Sequence, residues 1–334
     1  MLRIQFERTK TTRRLITALS SAAIALTATG IVQAQGEQYT SNLQLGTANP
    51  GGGYYTMGSE YANIFVKRID VPDLNVSAIQ TSGSVDNLAK ISRNEIELGL
   101  AQATTAQLVL SGEGKYKNLD TTAVGLLGCL EPYALHVFTL ADTGIDSIEG
   151  LKGKRVAIGA PGSANQLAAR ALLSAYGLAE GDIRAYPEAS DDARQKLRDG
   201  NLDAIIEVQP VPFPGLQELE SAKGGVKLLP IAGQQLDALL KSSDFSPYTI
   251  KAGSYDFSPS PVSTVSDWSC MFASKTKVSP DLAYQLTRTL YEHASDLTSS
   301  AKNVVSIDTA IPEGSRMPLH PGAERFFKEK NVLP

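Results

Sequence analysis

The sequence predicts an α/β protein of two lobes joined by crossing strands. Three observations carry this. Short strand-like apolar runs alternate with segments whose apolar residues recur every three or four positions, the pattern of α/β units around a largely parallel sheet. That pattern occurs twice along the chain. Two extended runs, 133–138 and 262–272, follow the first and second sets and read as crossings between them.

In the first set, Leu43 to Gly46 reads as a strand, followed by the turn Gly51-Gly52-Gly53. Tyr54, Met57, Tyr61, Ile64 and Phe65 then recur at helical spacing. Leu74 to Ile79 is a second strand, leading through Thr81-Ser-Gly-Ser84 into a helix with Val85, Leu88 and Ile91 on one face. Glu97 to Leu100 is a third strand. In the second set, Arg155 to Ile158 is a strand and Gly159-Ala-Pro-Gly-Ser163 a turn. A helix carrying Ala164, Leu167, Ala168, Ala171 and Leu172 stops near Gly177. Another helix ends at Gly200, before a strand over Leu202 to Ile206. After the second extended run, Ser279 caps a helix with Pro280 at its first position and Leu282, Leu286 and Leu290 in register.

The N-terminus reads as a targeting segment. Arg3, Arg8, Lys10, Arg13 and Arg14 precede an apolar run from Leu15 to about Val32, which ends in Val32-Gln33-Ala34. A basic stretch, an apolar stretch and small residues at a cleavage point describe a signal peptide over 1–34; a membrane anchor is the competing reading. The whole chain has 31 basic and 35 acidic residues; removing the five and one in 1–34 leaves 26 and 34, a formal charge of −8. Such a chain offers no basic footprint for nucleic acid or anionic lipid. No later stretch is apolar enough for a membrane span, so no stable membrane insertion is expected after cleavage.

Cys129 and Cys270 are the two cysteines. In an oxidising compartment they permit one disulfide, and two buried thiols are the alternative. His136, His293 and His320 lie far apart without acids at ligand spacing, so no metal site and no cofactor is expected.

Three loops, each joining a strand end to a helix start, carry the candidate chemistry: 49–55, 81–87 and 161–165. Helix starts offer backbone N–H groups and the positive end of the helix dipole, glycine allows close approach, and serine adds a hydroxyl. Such loops hold an anion without lysine or arginine, and none lies within them. The candidate binding residues are Asn49, Gly52, Gly53, Tyr54, Tyr55, Thr81, Gly83, Ser84, Asn87, Pro161, Gly162, Ser163 and Asn165, with Gln102 and Gln209 at strand ends. Simpler roles compete: Ser84 and Ser163 as ordinary N-caps, Tyr54 as core and the two glutamines as loop caps; Glu207 reads as a partner for a ligand ammonium or, more simply, as a solvated surface acid. The glycine runs match neither a P-loop nor a dinucleotide fingerprint, and no G-x-S-x-G elbow or nucleophile–base pair marks an enzyme.

Leu45-Gly-Thr-Ala-Asn-Pro-Gly-Gly-Gly-Tyr-Tyr-Thr-Met-Gly58 resembles the opening signature of the TAXI proteins, substrate-binding proteins of TRAP (tripartite ATP-independent periplasmic) transporters. Thr81 to Leu88, Leu151 to Val156, Gly159 to Ser163, Asp203-Ala204, Pro247 to Ile250 and Leu319 to Arg325 extend the resemblance in collinear order across nearly the whole mature chain. Pro210-Val-Pro212 and Asn165 after Ala164 depart from the usual family residues. The resemblance implies a two-lobed, type II-like periplasmic binding protein. Its first lobe would comprise 35–135 plus 266–334 and its second 136–265. It implies a periplasmic monomer that is not an enzyme. That monomer would bind a small carboxylate-bearing ligand, an organic acid or a glutamate-like or glutamine-like amino acid, and deliver it to membrane permease subunits. A binding protein for an ATP-driven importer or sensor, and a secreted enzyme, are the alternatives.

Overall fold

In the computed structural model, residues 39–333 are described, so the expected signal peptide over 1–34 lies outside the described residues. The chain opens with β1 (Asn42–Gly46), α1 (Gly53–Arg68), β2 (Asn75–Ile79), α2 (Ser84–Ser92), β3 (Leu98–Gln102) and α3 (Ala103–Leu110). The long strand β4 (Val124–Leu140) follows, then β5 (Arg155–Ala157), α4 (Ala164–Ala175), β6 (Arg184–Tyr186), α5 (Ser190–Arg198) and β7 (Ala204–Gln209). The remainder is α6 (Pro214–Lys223), β8 (Val226–Leu228), α7 (Gly233–Ser242), β9 (Ser246–Ile250), β10 (Val262–Ser274), α8 (Pro280–Glu292) and α9 (Pro321–Glu329).

All ten strands join one sheet in the order β2-β1-β3-β10-β4-β7-β5-β6, with β8 on β4 and β9 on β10. β1 pairs in parallel with β2 and β3, and β5 in parallel with β6 and β7. Between these parallel groups run β4 and β10, antiparallel to each other and to β3 and β7. The described residues belong to one compact unit, as this shared pair requires. Both faces of the sheet are covered. α1, α4, α7, α8 and α9 contribute to one apolar cluster, α2 and α3 to a second, and α5 and α6 to a third.

The two extended runs of the sequence are the cores of β4 and β10. β4 is buried along its length except at Pro132, which faces Trp268 where the register of β10 shifts. A proline is tolerated in a central strand at such an irregularity, since it has no N–H for a ladder bond. Cys129 and Cys270 are register partners across β4 and β10 and form a disulfide, both fully buried. Of the two expectations for these cysteines, the bonded one holds.

Ser279 caps α8, its hydroxyl accepting from the Leu282 N–H at 3.1 Å. Ser163 caps α4, accepting from the Gln166 N–H at 3.2 Å. Ser84 is not an N-cap. Gly83 occupies that position with φ 104°, a left-handed value that favours glycine. Ser84 instead begins α2, and its hydroxyl accepts from the Gln102 N–H at 3.1 Å.

Candidate functional site

β1, β2 and β3 run opposite to β5, β6 and β7, so the carboxyl ends of the two parallel groups point towards each other at the middle of β4 and β10, and the helix or turn after each begins there. In α/β sheets ligands bind beyond the carboxyl ends of the strands. A cavity of about 50 Å³ sits among these ends. Asn49, Gly52, Gly53 and Tyr54 come from the β1–α1 loop; Gly83 and Ser84 from β2–α2; Gln102 from β3. Ser163 and Asn165 come from β5–α4, and Gln209 from β7. None of the lining residues carries a formal charge.

Five expected site residues do not line this cavity. Thr81 shapes its loop: the hydroxyl donates to the Thr47 carbonyl at 3.1 Å and accepts from the Gly83 N–H at 3.2 Å. Asn87 is fully buried, and its Nδ2 donates to the carbonyls of Gly46, Thr47 and Leu100 at 3.1, 2.8 and 2.8 Å, clasping α2 onto β1 and β3. Tyr55 is half-buried on α1 and Pro161 is exposed. Gly162 gives its carbonyl to the Val85 N–H at 3.1 Å.

The loops meet one another directly across the cavity. The Gly53 N–H donates to Gln209 Oε1 at 3.1 Å. A Cβ on Gly53 would come within 2.7 Å of Pro210 and 2.9 Å of the Tyr133 hydroxyl, so only glycine fits there. Gly83 faces Ser163, with 3.6 Å between an ideal Cβ on the glycine and the serine Cα. With its amide oriented to satisfy both ends, Gln102 donates to the carbonyls of Trp268 at 3.0 Å and Asp267 at 3.2 Å, and accepts from the Tyr54 hydroxyl at 3.1 Å.

Behind the cavity lies a charged layer absent from the sequence reading. Glu207, expected to be a solvated surface acid, is 1% exposed. Its Oε2 accepts from Gln209 Nε2 at 3.1 Å, and its Oε1 lies 3.5 Å from Arg194 Nη1. Arg194 stacks over Phe213 at 4.8 Å, pairs with Asp191 and donates to the Gly51 carbonyl at 3.1 Å. A buried charge has to be paired, and α5 supplies the partner. The correction follows from Arg194, which α5 turns inward to pair with Glu207.

Outside the three expected loops, the polar lining residues that were missed are Ser190 and Tyr133. Ser190 starts α5 and accepts from Gln209 Nε2 at 3.3 Å. It follows a strand and turn like the other loops, so the same pattern could have found it. Tyr133 sits on β4, its ring 5.4 Å from that of Tyr54. Its hydroxyl is buried and has no hydrogen-bond partner. Burial raises both tyrosines well above the ordinary phenol value, so each hydroxyl keeps its proton. The buried histidines serve the fold. His136 bonds the Ala134 carbonyl at 2.9 Å and the Tyr255 hydroxyl at 2.8 Å, and His320 caps α9.

Residues 45–330, nearly the whole of the described chain, match the NMT1-like family. The chain belongs to the NMT1-like family. Solved structures share the fold of this NMT1-like protein. The alkanesulfonate-binding protein SsuA from Xanthomonas axonopodis pv. citri, bound to MOPS, is similar at 18% identity and a TM-score of 0.51, over 87% of this chain and 84% of that one. PhnD1 from Prochlorococcus marinus, in complex with methylphosphonate, has 11% identity and a TM-score of 0.55, over 88% and 99%. MatC from Rhodopseudomonas palustris with bound malate has 13% identity and a TM-score of 0.55, over 87% and 97%. At these identities the likeness is one of fold: a mixed α/β architecture with a curled sheet, shared with these binding proteins. Among the described residues no helix is long and apolar enough to cross a membrane.

Proposed function

We propose that this protein is an exported solute receptor that binds a small carboxylate-bearing molecule and delivers it to the permease subunits of a TRAP transporter. The observation that carries this reading is the convergence of six strand ends on one uncharged, hydroxyl- and amide-lined cavity. Oriented helix starts and hydroxyls can bind a carboxylate by charge-assisted hydrogen bonds worth ~1.5–3 kcal/mol each, and two or three of these suffice without a buried salt bridge. Binding without chemistry fits the lining, which holds no titratable nucleophile beside a base. The TRAP assignment rests on the TAXI-like sequence segments.

A cavity of about 50 Å³ has room for little more than water, so the ligand is taken up by parting the loops. The two lobes proposed for this motion are 35–135 plus 266–334 and 136–265, flexing where Pro132 faces Trp268. Export by a signal peptide cleaved after Ala34 belongs to the same proposal.

A thermal-shift screen against organic acids and amino acids tests the reading, since a ligand that binds only the native state raises its midpoint. Acids that stabilise the protein should lose about tenfold in affinity with Ser84→Ala or Ser163→Ala, one hydrogen bond of ~1.4 kcal/mol. Arg170→Ala, which breaks a surface pair with Glu180, should leave affinity unchanged. The opposite pattern, intact binding in both serine variants and loss in Arg170→Ala, would overturn the proposal.

A further inference from the structure

A second cavity, about 630 Å³, adjoins the polar one and shares Ala164 and Val208 as walls. Its volume lies in the range of small-molecule sites, whereas that of the polar cavity does not. It runs between α3 and α4, whose first turns stand at the polar cavity: Gln102 precedes α3 and Ser163 caps α4. On α4 its wall is Ala164, Leu167, Ala168 and Ala171, one helical face about 10 Å long. Leu108 of α3 lines the opposite wall and is 47% exposed. Leu110, Phe245 and Met317 complete the apolar lining.

The charges along this groove are mainly acidic. Asp267 is buried and accepts from the Thr104 N–H at 3.1 Å, and Asp244 accepts from Gln107 Nε2 at 3.1 Å. Glu113 adds a third carboxyl, and Arg316 is the cation among the lining residues. A second carboxylate placed here would face three acids.

We infer that the ligand is a monocarboxylate with an apolar body, its head in the polar cavity and its body in the groove between α3 and α4. This rests on the carboxylate reading above and narrows it. The helix starts and hydroxyls supply the head group's donors, and the groove supplies the volume and the apolar surface. The second carboxylate of a dicarboxylate or of glutamate is disfavoured by Asp244 and Glu113.

Calorimetry on the full mature chain with acetate, butanoate, hexanoate and octanoate, together with octanol, succinate and glutamate, tests this. Affinity should rise about fourfold for each methylene that enters the groove, with an increasingly negative heat-capacity change. Ala171→Trp, which fills the groove, should cancel the gain for octanoate while leaving butanoate unchanged. Leu108→Ser should reduce the gain without touching the polar cavity. Tight succinate or glutamate binding without any chain-length gain overturns the inference and leaves the carboxylate receptor standing. Octanol binding as well as octanoate also overturns it, because the head would then be idle. Failure of every acid to bind overturns both readings.

Discussion

The backbone N–H of Gly53 and the side-chain oxygen of Gln209, 156 residues apart in sequence, meet at 3.1 Å across the candidate site. Gln209 is tied in turn to Glu207 and Ser190. One amide thus joins the first helix start to the buried charged layer behind β7.

Gln209→Ala removes the acceptor for Gly53 and one of the partners of the Glu207 carboxylate. Stability should fall by ~1–3 kcal/mol in urea denaturation, the cost of leaving buried polar groups unpaired. Affinity for a stabilising acid should fall about tenfold or more. Unchanged binding by calorimetry would show that Gln209 serves the fold alone.

Tyr133→Phe separates binding from folding. The hydroxyl is buried without a partner, so removing it should leave the protein as stable as before or more so. If that hydroxyl donates to the ligand, affinity should drop about tenfold. A variant that is less stable and binds normally contradicts the assignment of Tyr133 to the site.

The Cys129–Cys270 bond closes a segment of 141 residues. Replacing both cysteines by alanine should reduce stability by ~2–4 kcal/mol. Wild type treated with a reductant under denaturing conditions should refold to the same lower midpoint. Equal midpoints for the variant and the oxidised wild type would count against a stabilising bond.

Stability should also fall between pH 6.5 and 8. Burial, with the charge of Glu60 nearby, pushes the Glu131 carboxyl from 4.5 up to about 8, and burial pushes Asp267 up to about 7. Native protein then binds more protons than unfolded protein above pH 4.5, so these groups favour folding less as pH rises. Burial lowers His136 and His320 from 6.5 to about 4, giving stability that is present above 6.5 and lost as pH falls towards 4. The two effects oppose below 6.5, and above it the carboxyls act alone. Denaturation at both pH values should show the loss, with Glu131→Gln flattening it; a wild-type profile that stays level refutes this account.

Glycine and serine punctuation between strands and helices made Gly53, Ser84 and Ser163 visible in sequence, because the same backbone requirements that start a helix also build an anion site. Asn87 carried the same signal for a different reason: its amide binds the strands, not the cavity. Tyr133 was invisible because a tyrosine in an apolar strand looks like core, and only the pairing of β4 with β10 and β7 brings it to the cavity. Glu207 was misread because its partner sits on a helix thirteen residues earlier and turns inward. Local pattern fixes elements; which distant strands become neighbours depends on contacts no short window contains.

The placement of β10 between β3 and β4 has a kinetic consequence. As the chain emerges from its N-terminus, β1, β2 and β3 can assemble, yet the edge of β3 stays open until residues 262–274 arrive to fill it. Closing so long a loop is entropically costly and slow, and an open strand edge invites wrong partners in the meantime. Chains truncated before Val262 would leave β3 and β4 without their common neighbour, so the sheet reaches its final order only when just over four-fifths of the sequence has been made.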